Sequence, residues 1–230
     1  MTHDKIQSVF DVWARNGRAE GMEQGHGDVV RQVLARMQFR PGQQILDLGC
    51  GNGWATRALA RSAAGSSAIG IDVSAAMIAR AEELTSLTIR ARYEVGRFEE
   101  LPMRDQSIDK VFSMEAIYYA VDLDRALREI HRVLKPGGTV DLVLDCYAER
   151  PTTDRWSAMV GLSMQRLSEK DWSARLAQVG FVDAASERVV DSRGPGERTT
   201  FAPSDHCPDW ETACALHESG SLWLRALKSP

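Results

Sequence analysis

The feature that most constrains the fold is the stretch ILDLGCGNGW at residues 45–54. It begins with a short apolar run, which is typical of a strand buried on both faces of a sheet. Gly49, Gly51 and Gly53 follow at alternate positions, and residues 54–64 have the Ala-rich and Leu-rich composition of a helix. A strand, a glycine-rich turn and a helix bring backbone N–H groups close to a ligand. We therefore expect a ligand-binding turn at this point of the chain.

Strands and helices continue to alternate after this turn. Apolar or alternating runs predict strands at residues 68–72, 88–95, 108–113, 139–145, 181–190 and 221–228. Helical spacing predicts helices at residues 28–38, 74–84, 124–134, 168–180 and 209–218. Ser74 stands where it can cap the second of these helices. This order predicts βαβ units and a parallel sheet with helices on both faces, which is the α/β class.

Composition and charge exclude several kinds of partner. The chain has 230 residues, of which 43% are hydrophobic, and we expect one domain over residues 1–230. Because the net charge is −4, we expect neither nucleic acid nor an anionic membrane surface as a partner, and no apolar run is long enough to span a bilayer. Four scattered cysteines favour a reducing, cytoplasmic location. A monomer and a homodimer are both compatible with the sequence.

Two residues define what the glycine turn can bind. Trp54 occupies the place where a dinucleotide-binding turn would carry a small residue, which argues against a pyrophosphate-linked ligand. Asp72 ends the second predicted strand, 19 residues after Gly53. A carboxylate at that edge of the sheet is placed to accept hydrogen bonds from both hydroxyls of a ribose. The sequence therefore predicts a nucleoside ligand.

Five segments, taken in order, carry a resemblance to a known family. They are LDLGCGNG, GIDVS, GRFEELPM, DKVFSMEAIYY and RVLKPGG, and they cover roughly residues 40–145. Together they resemble the class I S-adenosylmethionine-dependent methyltransferases, most closely the group that acts on small molecules and quinones. The resemblance implies a Rossmann-like, seven-stranded, mostly parallel sheet with helices on both faces and an antiparallel C-terminal hairpin. It also implies S-adenosyl-L-methionine as cofactor and a small-molecule methyl acceptor.

The resemblance assigns cofactor roles to individual residues. Asp47 and the backbone at Gly49 would meet the ammonium and carboxylate groups of the methionine part, and Asp72 would hold the ribose. Relatives commonly carry an Asp that binds the adenine amino group, whereas this chain has Arg97, so Phe98 or Glu99 could substitute. The full set of cofactor-binding residues predicted in this way is Trp13, Asp47, Gly49, Cys50, Gly51, Gly53, Asp72, Val73, Met77, Arg97, Phe98, Glu99 and Met114.

Methyl transfer from a sulfonium asks little of the protein beyond alignment and exclusion of water. A base is needed only when the acceptor atom carries a proton that must leave. Glu115 and Tyr118 are the predicted catalytic residues, although a solvated loop carboxylate is an equally good description of Glu115. Other candidates at the same edge of the sheet are Tyr119, Asp145 and Tyr147.

Two segments outside the motifs are expected to cover the site. Residues 1–28 are too polar and glycine-rich for a core helix, and we expect them to form a cofactor lid, with a frayed terminus as the alternative. The lid candidates are Trp13, Arg18, Glu23 and His26. Residues 150–168 are the predicted cap of the acceptor pocket, although simple core packing would also explain their apolar residues. These residues are Trp156, Met159 and Met164.

Other functional interpretations stay open. A methyltransferase acting on protein or RNA is one alternative, and a non-catalytic cofactor-binding module on the same fold is another. His206, Cys207, Cys214 and His217 resemble a loose zinc set, but their spacing is unusual for chelation and we predict no metal.

Overall fold

The computed structural model describes residues 2–230 and contains one seven-stranded sheet. The strands are β1 (Gln44–Leu48), β2 (Ser67–Asp72), β3 (Ala91–Val95), β4 (Ile108–Met114), β5 (Leu134–Leu144), β6 (Phe181–Val189) and β7 (Ser221–Lys228). Their order across the sheet is β3-β2-β1-β4-β5-β7-β6, and only β7 runs against its neighbours. The predicted Rossmann-like fold is confirmed. The strand order reverses between β1 and β4, which is where open α/β sheets bind ligands.

Helices cover both faces of the sheet. They are α1 (His3–Arg15), α2 (Arg18–Arg36), α3 (Trp54–Ala60), α4 (Ala75–Glu83), α5 (Leu123–Val133), α6 (Trp156–Val160), α7 (Glu169–Gln178) and α8 (Trp210–Ser219). Neighbouring strand residues point to opposite faces, so Ile45 packs with α2 and α3 while Leu46 packs with α5 and α7. Ser74 caps α4 as predicted, because its hydroxyl accepts the Met77 N–H at 3.1 Å.

The structure corrects the prediction for the N-terminal segment. We expected a helix only from residue 28, yet α2 already begins at Arg18 and contains Gly21, Gly25 and Gly27. Each glycine costs a helix about 1 kcal/mol relative to alanine. Burial of the Val29–Val30 pair and its neighbours against the sheet stabilises the helix as a whole, so tertiary packing overrides local propensity.

Among residues 2–230, no helix combines the length and the apolar character that crossing a bilayer requires.

Candidate active site

A cavity of about 360 Å³ lies at the carboxyl ends of β1, β2 and β4. Most of the predicted cofactor residues line it, namely Trp13, Asp47, Gly49, Cys50, Gly51, Asp72, Val73, Met77, Phe98 and Met114. The two predicted catalytic residues, Glu115 and Tyr118, line it as well. Gly53, Arg97 and Glu99 do not, so their cofactor roles stay predictions without support from the geometry.

The glycine turn is held in a backbone conformation that side chains resist. Gly49 has φ +71°, and a Cβ there would lie 2.1 Å from the Cβ of Ala116. Gly53 has φ +77°, and its Cβ would strike the ring of Tyr93. The N–H groups of Gly49 and Cys50 both donate to the carbonyl of Ile71, at 2.8 and 3.0 Å. The turn therefore lies tightly between β2 and the segment that follows β4.

Asp72 joins the glycine turn to the end of β2. One carboxylate oxygen accepts the Gly51 N–H at 3.0 Å, and the other accepts the Ser74 N–H at 2.9 Å. Each oxygen has a second lone pair, so the carboxylate can still accept hydrogen bonds from a ligand. Burial raises the pKa of Asp72 to about 6, although these backbone hydrogen bonds partly oppose the shift.

Asp47 is a second buried carboxylate at the same end of the cavity. It is 1% exposed, and its Oδ2 accepts the Thr56 hydroxyl at 2.6 Å. Burial raises the pKa of Asp47 to about 7, and the negative charge of Asp72 adds to the rise. Two carboxylates that are costly to ionise without a counter-charge favour a cationic ligand between them.

The side chain of Asn52 provides a further hydrogen-bond acceptor at the end of the cavity that contains Asp47 and Asp72. Its amide nitrogen donates to the carbonyl of Ala19 at 3.2 Å, whereas its buried Oδ1 has no partner among residues 2–230. Buried polar atoms are rarely left unpaired, so this oxygen points to a ligand with a donor group. A ligand with an ammonium group, a sulfonium and ribose hydroxyls, such as S-adenosylmethionine, fits this set of acceptors.

The other end of the cavity contains a buried polar cluster that follows β4 and β5. The Glu115 carboxylate accepts the Tyr118 hydroxyl at 2.8 Å and also the Asp145 N–H. Glu115 has φ +53°, an uncommon conformation for a residue with a side chain. Burial raises the pKa of Glu115 well above its ordinary value, and the charge of Asp145 adds to this effect. Both effects favour the protonated form of the Glu115 carboxyl group.

The N-terminal helices cover the cavity. Arg18 stacks over the ring of Trp13, with its guanidinium carbon 3.8 Å from the ring centroid. Of the four lid candidates, Trp13, Arg18 and His26 line the cavity, whereas Glu23 does not. The Ser74 hydroxyl donates to Asp11 at 2.5 Å, which ties α1 to the start of α4.

Glu99 contacts the N-terminal helix α1 and does not line the cavity. One of its oxygens lies 2.9 Å from Nε2 of His3, at the start of α1. The other oxygen accepts the N–H groups of Val121 and Asp122, at 2.7 and 3.1 Å. Both oxygens therefore already have partners, and the side chain links α1 to the segment before α5.

The cap candidates Trp156, Met159 and Met164 all line the cavity. Sequence reasoning did not assign the other lining residues to the cavity, although Asn52 and Ala116 lie within the motif segments and Trp54 ends the stretch ILDLGCGNGW. These other lining residues are Phe10, Ala19, Met22, Asn52, Trp54, Ala55, Ala116, Val160 and His206, with Tyr119 named only as a secondary candidate. The sequence did contain a signal for α2: Ala19, Met22 and His26 lie three and four residues apart, which places them on one face of a helix. No group of three or more His, Cys, Asp or Glu side chains within residues 2–230 is arranged to hold a metal.

The geometry defines a nucleoside-binding Rossmann-like protein, and comparisons with known proteins define the family. Residues 46–141 match the model of a methyltransferase domain. Over 135 residues the chain is 40% identical to a malonyl-[acyl-carrier protein] O-methyltransferase of Erwinia billingiae, covering 58% of this chain and 52% of that protein. It is 33% identical over 145 residues to the O-methyltransferase resE of Aspergillus sclerotiorum, covering 60% and 54%. The chain thus spans about half the length of these curated relatives.

A solved structure matches nearly the whole chain. It is a chain in the complex between the Haloferax volcanii Trm112 methyltransferase activator and a methyltransferase. The two are 33% identical with a TM-score of 0.89, and the match covers 96% of this chain and 98% of the other. This protein belongs to the class I S-adenosylmethionine-dependent methyltransferases. The predicted family and cofactor are confirmed.

Proposed function

We propose that this chain transfers a methyl group from S-adenosylmethionine to a small-molecule acceptor. The observation that carries the proposal is the division of the cavity into two ends. The glycine turn, Asp47 and Asp72 supply backbone and carboxylate groups at one end. Trp156, Met159 and neighbouring apolar side chains line the other end, together with the polar pair Glu115 and Tyr118. A charged nucleoside suits the first end and an apolar acceptor suits the second.

Five of the predicted cofactor residues have an assigned place in this proposal. Asp72 holds the ribose, Asp47 and the turn around Gly49 face the methionine part, and Val73 with Met77 lie beside the adenine. The bound cofactor supplies a methyl group on a sulfonium, which is already a strong electrophile. The protein then has to orient the acceptor and exclude water, and we assign those tasks to a lid at residues 1–28 and a cap at residues 150–168.

Glu115 and Tyr118 stay the catalytic residues predicted from the sequence. Because both Glu115 oxygens already accept hydrogen bonds and burial raises the pKa of this carboxyl group, its direct use as a base is unfavourable. We assign the pair to the polar wall of the acceptor end, where the Tyr118 ring stays fixed beside the acceptor. A single domain over residues 1–230, a cytoplasmic location, and the choice between monomer and homodimer stay predictions.

The relatives support an oxygen atom as the methyl acceptor. The Erwinia billingiae and Aspergillus sclerotiorum proteins are both described as O-methyltransferases. Plant relatives at 37–38% identity over about half of this chain are described as 24-methylenesterol C-methyltransferases, and a sterol is an apolar small molecule. These similarities agree with the apolar acceptor end of the cavity.

The similarity to a chain from the complex with the Trm112 methyltransferase activator supports a second candidate, a methyltransferase activated by a partner protein. We pair this candidate with the alternative acceptors considered from the sequence, protein or RNA. The two candidate functions can be distinguished by adding tritiated S-adenosylmethionine to an extract of the producing cell and finding where the label is incorporated. Label in the organic-soluble fraction supports the small-molecule function. Label retained in protein or RNA supports the alternative.

Calorimetric titration with S-adenosylhomocysteine tests the proposed cofactor site. Loss of a charge-assisted hydrogen bond costs about 2 kcal/mol, so Asp72→Ala should weaken binding by roughly 30-fold. Asp105→Ala is the matched control, because Asp105 is an exposed carboxylate paired with Arg132. Absence of binding to the wild-type chain would end the proposal, and equal affinities for all three proteins would mean that Asp72 does not hold the ribose.

A further inference from the structure

His26 is a lid residue whose position suggests chemistry. It lies on the face of α2 that also presents Ala19 and Met22 to the cavity, and its side chain is 22% exposed. Its Nδ1 lies 3.5 Å from Oδ2 of Asp145. Within residues 2–230, no hydrogen bond joins Nε2 of His26 to another protein atom, so this nitrogen is available to a molecule in the cavity.

Asp145 is fixed from several directions. Its Oδ1 accepts the Ser221 hydroxyl at 2.5 Å and is paired with the guanidinium of Arg150. These contacts leave Oδ2 facing His26, 3.5 Å away. A carboxylate that receives the Nδ1–H of a histidine fixes the tautomer in which Nε2 carries a lone pair. The 3.5 Å contact is electrostatic and is not a hydrogen bond in this structure, and the carboxylate charge favours the tautomer with the proton on Nδ1 and the lone pair on Nε2.

The side chains that line the cavity with His26 indicate which kind of molecule would supply the proton. Phe10, Trp156 and Met159 are among the apolar side chains that line the cavity. Arg18, the one cationic side chain in that lining, is stacked on Trp13. Trp156 also has a buried Nε1–H without a partner within residues 2–230. The aromatic and apolar lining thus suits an uncharged apolar molecule with a flat ring.

We propose that His26, oriented by Asp145, is the general base that takes the proton from the phenolic hydroxyl group of an apolar acceptor. This inference rests on the proposed methyltransferase function and deepens it, since it defines the acceptor as an aromatic alcohol. Asp145 acts through His26 and is a positioning residue.

The reaction balances with these groups alone. The phenolic oxygen forms a bond to the methyl carbon as the carbon–sulfur bond breaks, and the sulfur keeps the bonding electron pair. The phenolic proton moves to Nε2 of His26. The products are a methyl ether, S-adenosylhomocysteine and an imidazolium cation beside the Asp145 carboxylate, and the imidazolium then releases its proton to water.

The surroundings of His26 favour its neutral form, which is the form that can accept a proton. Burial lowers the pKa of His26, and this effect exceeds the opposing influence of Asp145. Arg150 and Arg193 lower the pKa further, whereas Asp191 raises it. The neutral form of the imidazole is therefore favoured. We expect kcat/KM to fall only when the pH drops below the ordinary histidine range.

Steady-state formation of S-adenosylhomocysteine with two phenols as probes tests the inference. His26→Asn keeps a donor facing Asp145 but removes the base, and His217→Asn is the matched control because His217 lies on α8, outside the cavity lining. With 2-naphthol, His26→Asn should lower kcat by about 10²-fold or more, which is the usual contribution of a general base. With 4-nitrophenol, which is mostly ionised at mildly alkaline pH, the loss should be much smaller.

Further measurements separate a base from a structural residue. The acidic limb of the wild-type pH profile should disappear in His26→Asn, while affinity for S-adenosylhomocysteine stays within about twofold of wild type. Asp145→Asn should lower kcat on 2-naphthol and change the same limb. Equal losses on the two phenols, an unchanged pH profile, or no turnover of either phenol by a wild-type protein that binds S-adenosylhomocysteine would each overturn the inference. Lack of binding to the wild type would instead overturn the proposed function beneath it.

Discussion

The two ends of the cavity are built in different ways. The cofactor end comes from the glycine turn and from Asp72 at the end of the neighbouring strand, with backbone hydrogen bonds between the two segments. The acceptor end brings together His26, Glu115 and Trp156, which belong to three distant parts of the sequence. The first end is fixed by backbone conformation, and the second by the way helices dock on the sheet.

This difference explains why the two ends should respond differently to change. A backbone turn tolerates little alteration, because its glycines occupy conformations that other residues resist. Helices that are attached through side chains can shift by small amounts when one contact is lost.

Gly49→Ala should have the largest effect. The new Cβ would lie 2.1 Å from Ala116 Cβ at a φ of +71°, so both overpacking and backbone strain oppose it. We expect a loss of roughly 3 kcal/mol or more in the free energy of unfolding, measured by urea denaturation. Gly51→Ala is the matched control, since its Cβ would meet no atom within 4 Å.

Gly51→Ala should cost only about 1–2 kcal/mol, because positive φ is then the sole penalty. Equal stabilities for the two variants would show that the contact with Ala116 is relaxed at little cost. The rigid description of the cofactor end would then fail.

The ionisation of Asp47 should make both the stability of the fold and the affinity for S-adenosylmethionine depend on pH. Burial raises the pKa of Asp47 to about 7 in the folded state, against 3.8 for an ordinary aspartate. Between these values the folded chain binds more protons than the unfolded chain, so the free energy of unfolding should fall as pH rises. Ionised Asp47 attracts a cation, so affinity for S-adenosylmethionine should increase over pH 6–8, by roughly tenfold.

Asp47→Asn should weaken cofactor binding and remove most of both trends. Asp72 supplies a smaller trend of the same sign, since burial raises its pKa to about 6. Calorimetry across this pH range and urea denaturation at the same values provide the measurements. An affinity that stays constant with pH in the wild type would mean that the ligand brings no positive charge to Asp47.

The contrast between the two ends of the cavity also separates features of the fold that a sequence can predict from those that it cannot. The order of strands, the glycine turn, Asp72 and the Ser74 cap follow from local patterns, because each depends on residues close together in the chain. The start of α2 at Arg18 does not follow, because burial against the sheet outweighs the glycines of the helix.

Side-chain partners across long separations were the least predictable part of the site. Glu99 was predicted to lie beside the adenine, yet it pairs with His3, 96 residues away. His26 was expected only in a lid, and its position beside Asp145 depends on how α2 docks on the end of β5. No local sequence pattern predicts these long-range side-chain contacts, because they depend on how whole helices pack against the sheet.

Trp156→Phe should affect the acceptor end alone. The change keeps an aromatic ring but removes the buried Nε1–H, which has no partner within residues 2–230. If this group donates to the acceptor, KM for 2-naphthol should rise about fivefold, which corresponds to one hydrogen bond of about 1 kcal/mol. Affinity for S-adenosylhomocysteine should stay unchanged. Trp210→Phe on α8 is the control, and a matching rise in KM there would assign the effect to stability instead.

His3→Ala should have the smallest effect, because it removes one partly exposed contact. The imidazole of His3 is 25% exposed, and its pairing with Glu99 at 2.9 Å holds the first turn of α1 against the segment before α5. A contact of this kind is worth up to about 1 kcal/mol, so affinity for S-adenosylhomocysteine should fall no more than fivefold.

Hydrogen exchange distinguishes how that small loss arises. Amides of α1 should exchange faster in His3→Ala, while those of β1 and β4 should keep their wild-type protection, because the sheet does not depend on the lid contact. Lys5→Ala, at an exposed position of the same helix, is the control and should change neither. Faster exchange in β1 as well would contradict the independence of the two ends, since loosening the lid would then also loosen the strand that leads into the glycine turn.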